Sequence, residues 1–211
     1  MRIASLAPVS LVSSRMKPAP AIDTATNWTV DPEHSHVGFK IRHMMVSNTN
    51  GRFRKVRGRV VLDDHHLENS QVQAVIEAAS IDTDLPKRDD HLRSNEFFDV
   101  ENYPHLSFAS KRVEPAGPKQ LMVVGDLRIK GITKEVTFKV EYPGTEVKDP
   151  WGNLRRGAIA VARVHRKDFG LDWTMALENG GVVLGNQVLI QMNLELIRAT
   201  GPLAPFEVPA S

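Results

Sequence analysis

The sequence predicts an all-β chain folded as an eight-stranded antiparallel barrel, and three observations carry that prediction. Apolar and polar residues alternate through most of residues 28–198, the period of strands with one buried face. Roughly eight such strands succeed one another, mostly through short turns, with two short helical or irregular inserts near Pro86 and Asp168. A sheet of that many consecutive strands rids itself of exposed edges most economically by closing on itself. The length of 211 residues suits one such domain, and no apolar run approaches the roughly 20 residues that cross a bilayer.

Trp28 to Asp31 reads as a short first strand, stopped by Pro32. In Ser35 to Arg42, Val37, Phe39 and Ile41 alternate with His36, Gly38 and Lys40. The adjacent Met44 and Met45 break that alternation, either as core filler or as an adaptable apolar patch at the mouth of a cavity. Gly51 to Asp63 reads as one long piece, with Val56, Gly58, Val60 and Leu62 on one face and Arg57, Arg59 and Val61 on the other. Val72, Ala74, Ile76 and Ala78 repeat the pattern with small residues that leave room behind the wall. Leu106 and Phe108 begin a strand that ends in a turn at Pro115 to Pro118. Leu121 to Ile129 and Val136 to Tyr142 form a hairpin about Gly131, and Pro143 to Gly152 is a loop. Gly157 to His165 sets Ala158, Ala160 and Ala162 on one face, which widens a lumen if that face points inward. Arg166 to Gly185 is irregular and carries Phe169, Leu171, Trp173, Met175 and Leu177; Gln187 to Arg198 is the closing strand.

Ser80 to Ser110 departs from all of this, crowding acids, bases and two His around the pair Phe97–Phe98. Pro86 suits the first position of a helix of about two turns ending near Ser94, and Asp89 with Arg93 is placed as an (i, i+4) ion pair on its surface. Within this stretch, Ala79-Ser-Ile-Asp-Thr, Lys87-Arg-Asp-Asp-His-Leu-Arg-Ser94, Phe97-Phe-Asp99 and Tyr103-Pro-His-Leu-Ser-Phe108 closely resemble landmarks of the YceI family of lipocalin-like, polyisoprenoid-binding proteins. So do Trp28-Thr-Val-Asp-Pro-Glu-His-Ser-His-Val-Gly-Phe39, Gly125-Asp-Leu-Arg-Ile-Lys-Gly-Ile-Thr-Lys134, Arg166-Lys-Asp-Phe-Gly-Leu171 and Ala176-Leu-Glu-Asn-Gly-Gly-Val-Val182, in the same order. The resemblance covers 28–198 and implies a barrel with a cavity rather than a filled one. It further implies a non-enzymatic carrier or store of a polyisoprenoid or isoprenoid-quinone-like lipid, linked to stress response, and a homodimer.

In a hollow barrel the alternating inward residues Phe39, Ile41, Val60, Ile76, Phe108, Val123, Leu127, Phe138, Ile190 and Met192 would line the cavity. Phe97, Phe98, Phe169 and Trp173 would shape its mouth, and Arg88, His91 and Arg93 are candidates for a ligand head group, against the alternative of ion pairing with Asp89, Asp90 and Asp99. The family's contacts are largely apolar, so no single residue is carried over as essential.

Other chemistries find less support. The alternative function is a metal-dependent or acid/base hydrolase using Asp89 and His91, but neighbours on a helix diverge by about 100°, so Asp90 and His91 do not converge on one atom. No nucleophile elbow is present, and Gly180-Gly-Val-Val-Leu-Gly185 lacks the lysine of a phosphate loop. His34 and His36, two apart, share a strand face and could hold a metal with His43 or His91, a permissive and unspecific spacing; neither a metal nor a cofactor is called for. A net charge of +2 with dispersed bases does not suit nucleic acid, and the absence of cysteine removes thiol chemistry. Residues 1–27 read as a disordered extension in preference to a weak secretory signal, because Arg15 and Lys17 fall where a signal lacks charge. That reading favours the cytoplasm; a cleaved signal would place the chain in the periplasm or outside. Residues 199–211 read as a flexible tail.

Overall fold

The computed structural model describes residues 25–176, 182–201, 203, 205 and 206. Most of the N-terminal extension, Leu177 with the four residues after it, and part of the tail therefore lie outside the described residues.

Eight strands close a ring in which every pairing is antiparallel: β1 (Ala25–Val30), β4 (Val56–Asp63), β5 (Gln71–Glu77), β7 (His105–Gly117), β8 (Gln120–Ile129), β9 (Ile132–Glu141), β11 (Leu154–His165) and β12 (Leu184–Arg198). Pairing of β11 with β12 completes the circle, from Arg155 opposite Ile197 to His165 opposite Gln187. The remaining strands hang on this ring. Strand β2 (His36–His43) runs along the same edge of β12 that β1 uses further on, and β3 (Ser47–Phe53) and β6 (Ile81–Asp82) extend from it. The two-residue β10 (Val147–Lys148) pairs with the start of β11, inside a stretch read from sequence as plain loop.

One predicted strand divides. Gly51 to Asp63 is not continuous: β3 pairs with β2 and β6, whereas β4, beginning after a two-residue gap, pairs with β1 and β5. The chain switches partners at Arg54–Lys55, so the alternation continues while the sheet parts. Strand β7 likewise runs into the predicted turn, carrying Pro115 opposite Leu121 beside an irregularity in register. The β8–β9 hairpin turns through Lys130 and Gly131, both with positive φ (48° and 73°), the geometry whose twist matches paired strands.

Helix α1 (Pro86–Arg93) begins on Pro86 as the sequence predicts. Its expected surface pair does not form. Asp89 turns inward, where its carboxylate accepts bonds from the amide (2.9 Å) and hydroxyl of Thr83, while Arg93 bonds Asp90 instead at 3.1 Å. Spacing allowed both pairings; the buried amide of Thr83 required a partner and took Asp89.

The core is the inner face of the ring. Leu106, Phe108, Val123, Leu127, Phe138 and Ala160 are buried, with Ile76, Val188, Ile190 and Met192 packed beside them. At the end where β1 meets β12, Trp28 is fully buried and the Arg156 guanidinium lies 5.1 Å from its ring centre. Arg156 is in turn held by Asp64 and Glu146, which closes that end of the barrel.

Candidate ligand-binding cavity

The ring encloses a cavity of about 420 Å³, within the range of small-molecule sites, and its wall is almost wholly apolar. Period-two alternation puts every second residue of each strand on this wall. The structure accordingly brings together Phe39 and Ile41 (β2), Val60 (β4), Ile76 (β5), Phe108 (β7), Val123 and Leu127 (β8), Phe138 (β9), and Ile190 and Met192 (β12). Small residues make the space: Ala74, Gly157, Ala158 and Ala160 all face it. At Gly51 a side chain would collide with the Phe39 ring, so that glycine lets the ring lie flat against β3.

Phe97, Phe98, Phe169 and Trp173 also line the cavity, at the end opposite Trp28. Phe97 and Trp173 form an aromatic cluster with His91, and Phe98 stands edge-on to Phe53 at 5.7 Å. The His91 ring stands edge-on to Phe97 (4.9 Å) and to Trp173 (5.3 Å), and those two are 5.4 Å apart. Of the three polar candidates, Arg88 and His91 reach the wall. Arg88 bonds Thr83 through its hydroxyl (2.7 Å) and carbonyl (2.6 Å), and His91 bonds Glu96 at 2.5 Å. Arg93 lies elsewhere, bonding the carbonyls of Ala79 and Ile81, which ties α1 to the strand beneath it.

Sequence reasoning missed Arg166, which lines the same end and is 3% exposed. Its guanidinium donates to the carbonyls of Gly185 (2.8 Å) and Leu171, and burial pushes its pKa below the usual arginine value. The Arg-Lys-Asp-Phe motif quoted above contains it, but nothing in that motif told a buried arginine from an exposed one.

A second polar cluster lies outside the barrel. Asp31, His34 and Glu195 place one ligand atom each within 4.8 Å of one another, a possible metal geometry. The Arg155 guanidinium occupies that position instead, 2.6 Å from Asp31 and 2.5 Å from Glu195, and it also holds Asp149 at 2.7 Å. A resident cation of that kind makes the cluster a structural ion network. Burial alone would raise the Asp31 carboxyl, but bonds from Arg155 and His34 outweigh it and bring the pKa down to about 2. The same contact raises the pKa of His34.

A closed antiparallel barrel around one apolar cavity places the molecule in the lipocalin-like class of small barrels. Within that class the chain belongs to the YceI-like domain family, whose family model matches residues 28–196. A UPF0312 protein of Staphylococcus epidermidis is 37% identical over 170 residues, covering 81% of this chain and 96% of that protein. Among solved structures, BcnA of Burkholderia cenocepacia superposes with a TM-score of 0.69 at 25% identity, covering 79% of this chain and 98% of that one. A polyisoprenoid binding domain from Saccharophagus degradans shares the fold, with a TM-score of 0.60 at 14% identity over 82% of this chain and 98% of that one.

Proposed function

We propose that this protein binds a long apolar amphiphile, a polyisoprenoid or isoprenoid-quinone-like lipid, inside the barrel, and carries or stores it without chemical change. The apolar cavity is the observation that carries the reading. Each methylene withdrawn from water contributes about 0.8 kcal/mol, so a prenyl chain is held by area and needs few polar contacts. The name of the S. degradans domain points the same way. The aromatic residues Phe97, Phe98, Phe169 and Trp173 that line this end of the cavity would admit the chain, with Arg88, His91 and Arg166 around its polar end.

The alternative of a hydrolase centred on Asp89 and His91 loses support from the geometry. Asp89 is buried against Thr83, and His91 bonds Glu96, so the two are committed to separate partners. Substituting Ile76→Glu or Phe138→Glu puts a carboxylate on the lipid's path and is expected to lower uptake of a fluorescent prenyl lipid at least about tenfold. Full uptake by either variant, with its circular dichroism spectrum unchanged, would reject the cavity assignment.

A further inference from the structure

The chain places two flexible apolar side chains in an exposed turn, and this feature is unexplained by cavity binding. Between β2 and β3 the backbone turns through Met44 and Met45, closed by a bond from the Val46 amide to the His43 carbonyl (3.1 Å). Met45 is 56% and Val46 78% exposed. Neither methionine suits the turn: both have positive φ (49° and 61°), a region that asparagine and glycine fill readily and other residues rarely enter.

The turn belongs to a larger apolar rim. Met44 bonds the Val183 carbonyl (2.8 Å) and Val183 bonds that of Met175 (2.9 Å), so exposed Met175 and Val182 lie beside it. Exposed Leu85 stands between β6, which pairs with the last two residues of β3, and α1. Met44, Met45, Val46, Met175 and Val182, five of the ten large apolar side chains left exposed among the described residues, thus adjoin one another at one end of the barrel. The cavity reaches the surface there, since His43, Thr49, Trp173 and Val183 line it and are only half-buried.

The acids around the rim are paired more fully than the cations. Lys40, Arg42 and Lys87 are exposed, with no carboxylate partner among the described residues, and Arg42 braces the tip by donating to the Met45 carbonyl (2.8 Å). Of the acids near them, Asp84 is held by Arg52, Asp90 by Arg93 and Glu96 by His91, and Asp172 lies close enough to Arg166 to act on its charge.

We infer that this rim docks on an anionic lipid bilayer, the methionine tip entering the headgroup boundary and the three cations meeting lipid phosphates, so that the cavity loads from a membrane. The inference rests on the cavity reading for what is loaded, but is tested apart from it. The informative variant is M44N/M45G, whose residues suit the turn better than the native pair and so preserve the fold. Flotation with vesicles of phosphatidylcholine and phosphatidylglycerol in equal parts should carry the native protein. Vesicles of phosphatidylcholine alone, or high salt, should carry less, and M44N/M45G should partition at least about tenfold less. Both proteins should take up a prenyl alcohol equally when it is delivered in ethanol. Equal flotation of the two would overturn the docking site. So would loss of ethanol-delivered uptake in M44N/M45G alone, or sedimentation showing that it dissociates a dimer, since the tip would then serve the cavity or a second copy. Failure of both proteins to take up lipid, with flotation intact, would remove the cavity reading and leave the docking site standing.

Discussion

At Asp31 burial and hydrogen bonding pull in opposite directions, and the bonds win. Its pKa of about 2 lies below the ordinary 3.8, so its contribution to stability is fully present above the ordinary value and is lost as pH falls toward 2. His34 has the opposite sign. Its raised pKa gives a contribution that is full below 6.5 and disappears as pH rises through the folded-state value. Asp31→Asn removes the common partner, so the His34 ring, followed by proton NMR, is expected to titrate closer to 6.5 than in the native protein. A titration unmoved by the substitution would mean that Asp31 does not set the charge of His34. The same substitution should flatten the loss of stability between pH 4 and 2 measured by urea unfolding.

The helix is anchored by few contacts, and those contacts can be separated. Asp89 satisfies both the amide and the hydroxyl of Thr83, and Arg93 holds the carbonyls of Ala79 and Ile81, so α1 is pinned at its middle and its C-terminal end against residues 79–83. Asp89→Ala leaves the Thr83 amide buried without a partner, at a cost of about 1–3 kcal/mol. For a chain of this size that lowers the melting temperature by roughly 2–12 °C, and hydrogen exchange should quicken in α1 before the barrel strands. A melting temperature within a degree of native would show that Thr83 finds water at no cost. These anchors were not legible beforehand, because an acid one turn from a base reads equally as a surface pair. The wall of the barrel was legible, for a physical reason: a strand with one buried face writes its orientation into alternate residues, as Val123, Leu127 and Phe138 do. The parting of β3 from β4 left no mark, since alternation continues while only the partners change. Arg155 was equally silent, because its partner Asp31 lies 124 residues away.

For the whole molecule, closure and hollowness are distinct properties. Eight strands in antiparallel register account for closure. The alanines of β11 and the glycine of β3, combined with an aromatic cluster at one end and the Trp28–Arg156 stack at the other, account for a space that is bounded yet empty of side chains. Among the described residues no helix is long and apolar enough to cross a membrane. The central claim is that the space holds a lipid tail. Native mass spectrometry of gently purified protein, followed by organic extraction, tests it directly. A co-purifying long-chain isoprenoid at about one per barrel is the predicted result, with release on unfolding. Protein that emerges empty and also refuses added prenyl lipids would contradict it.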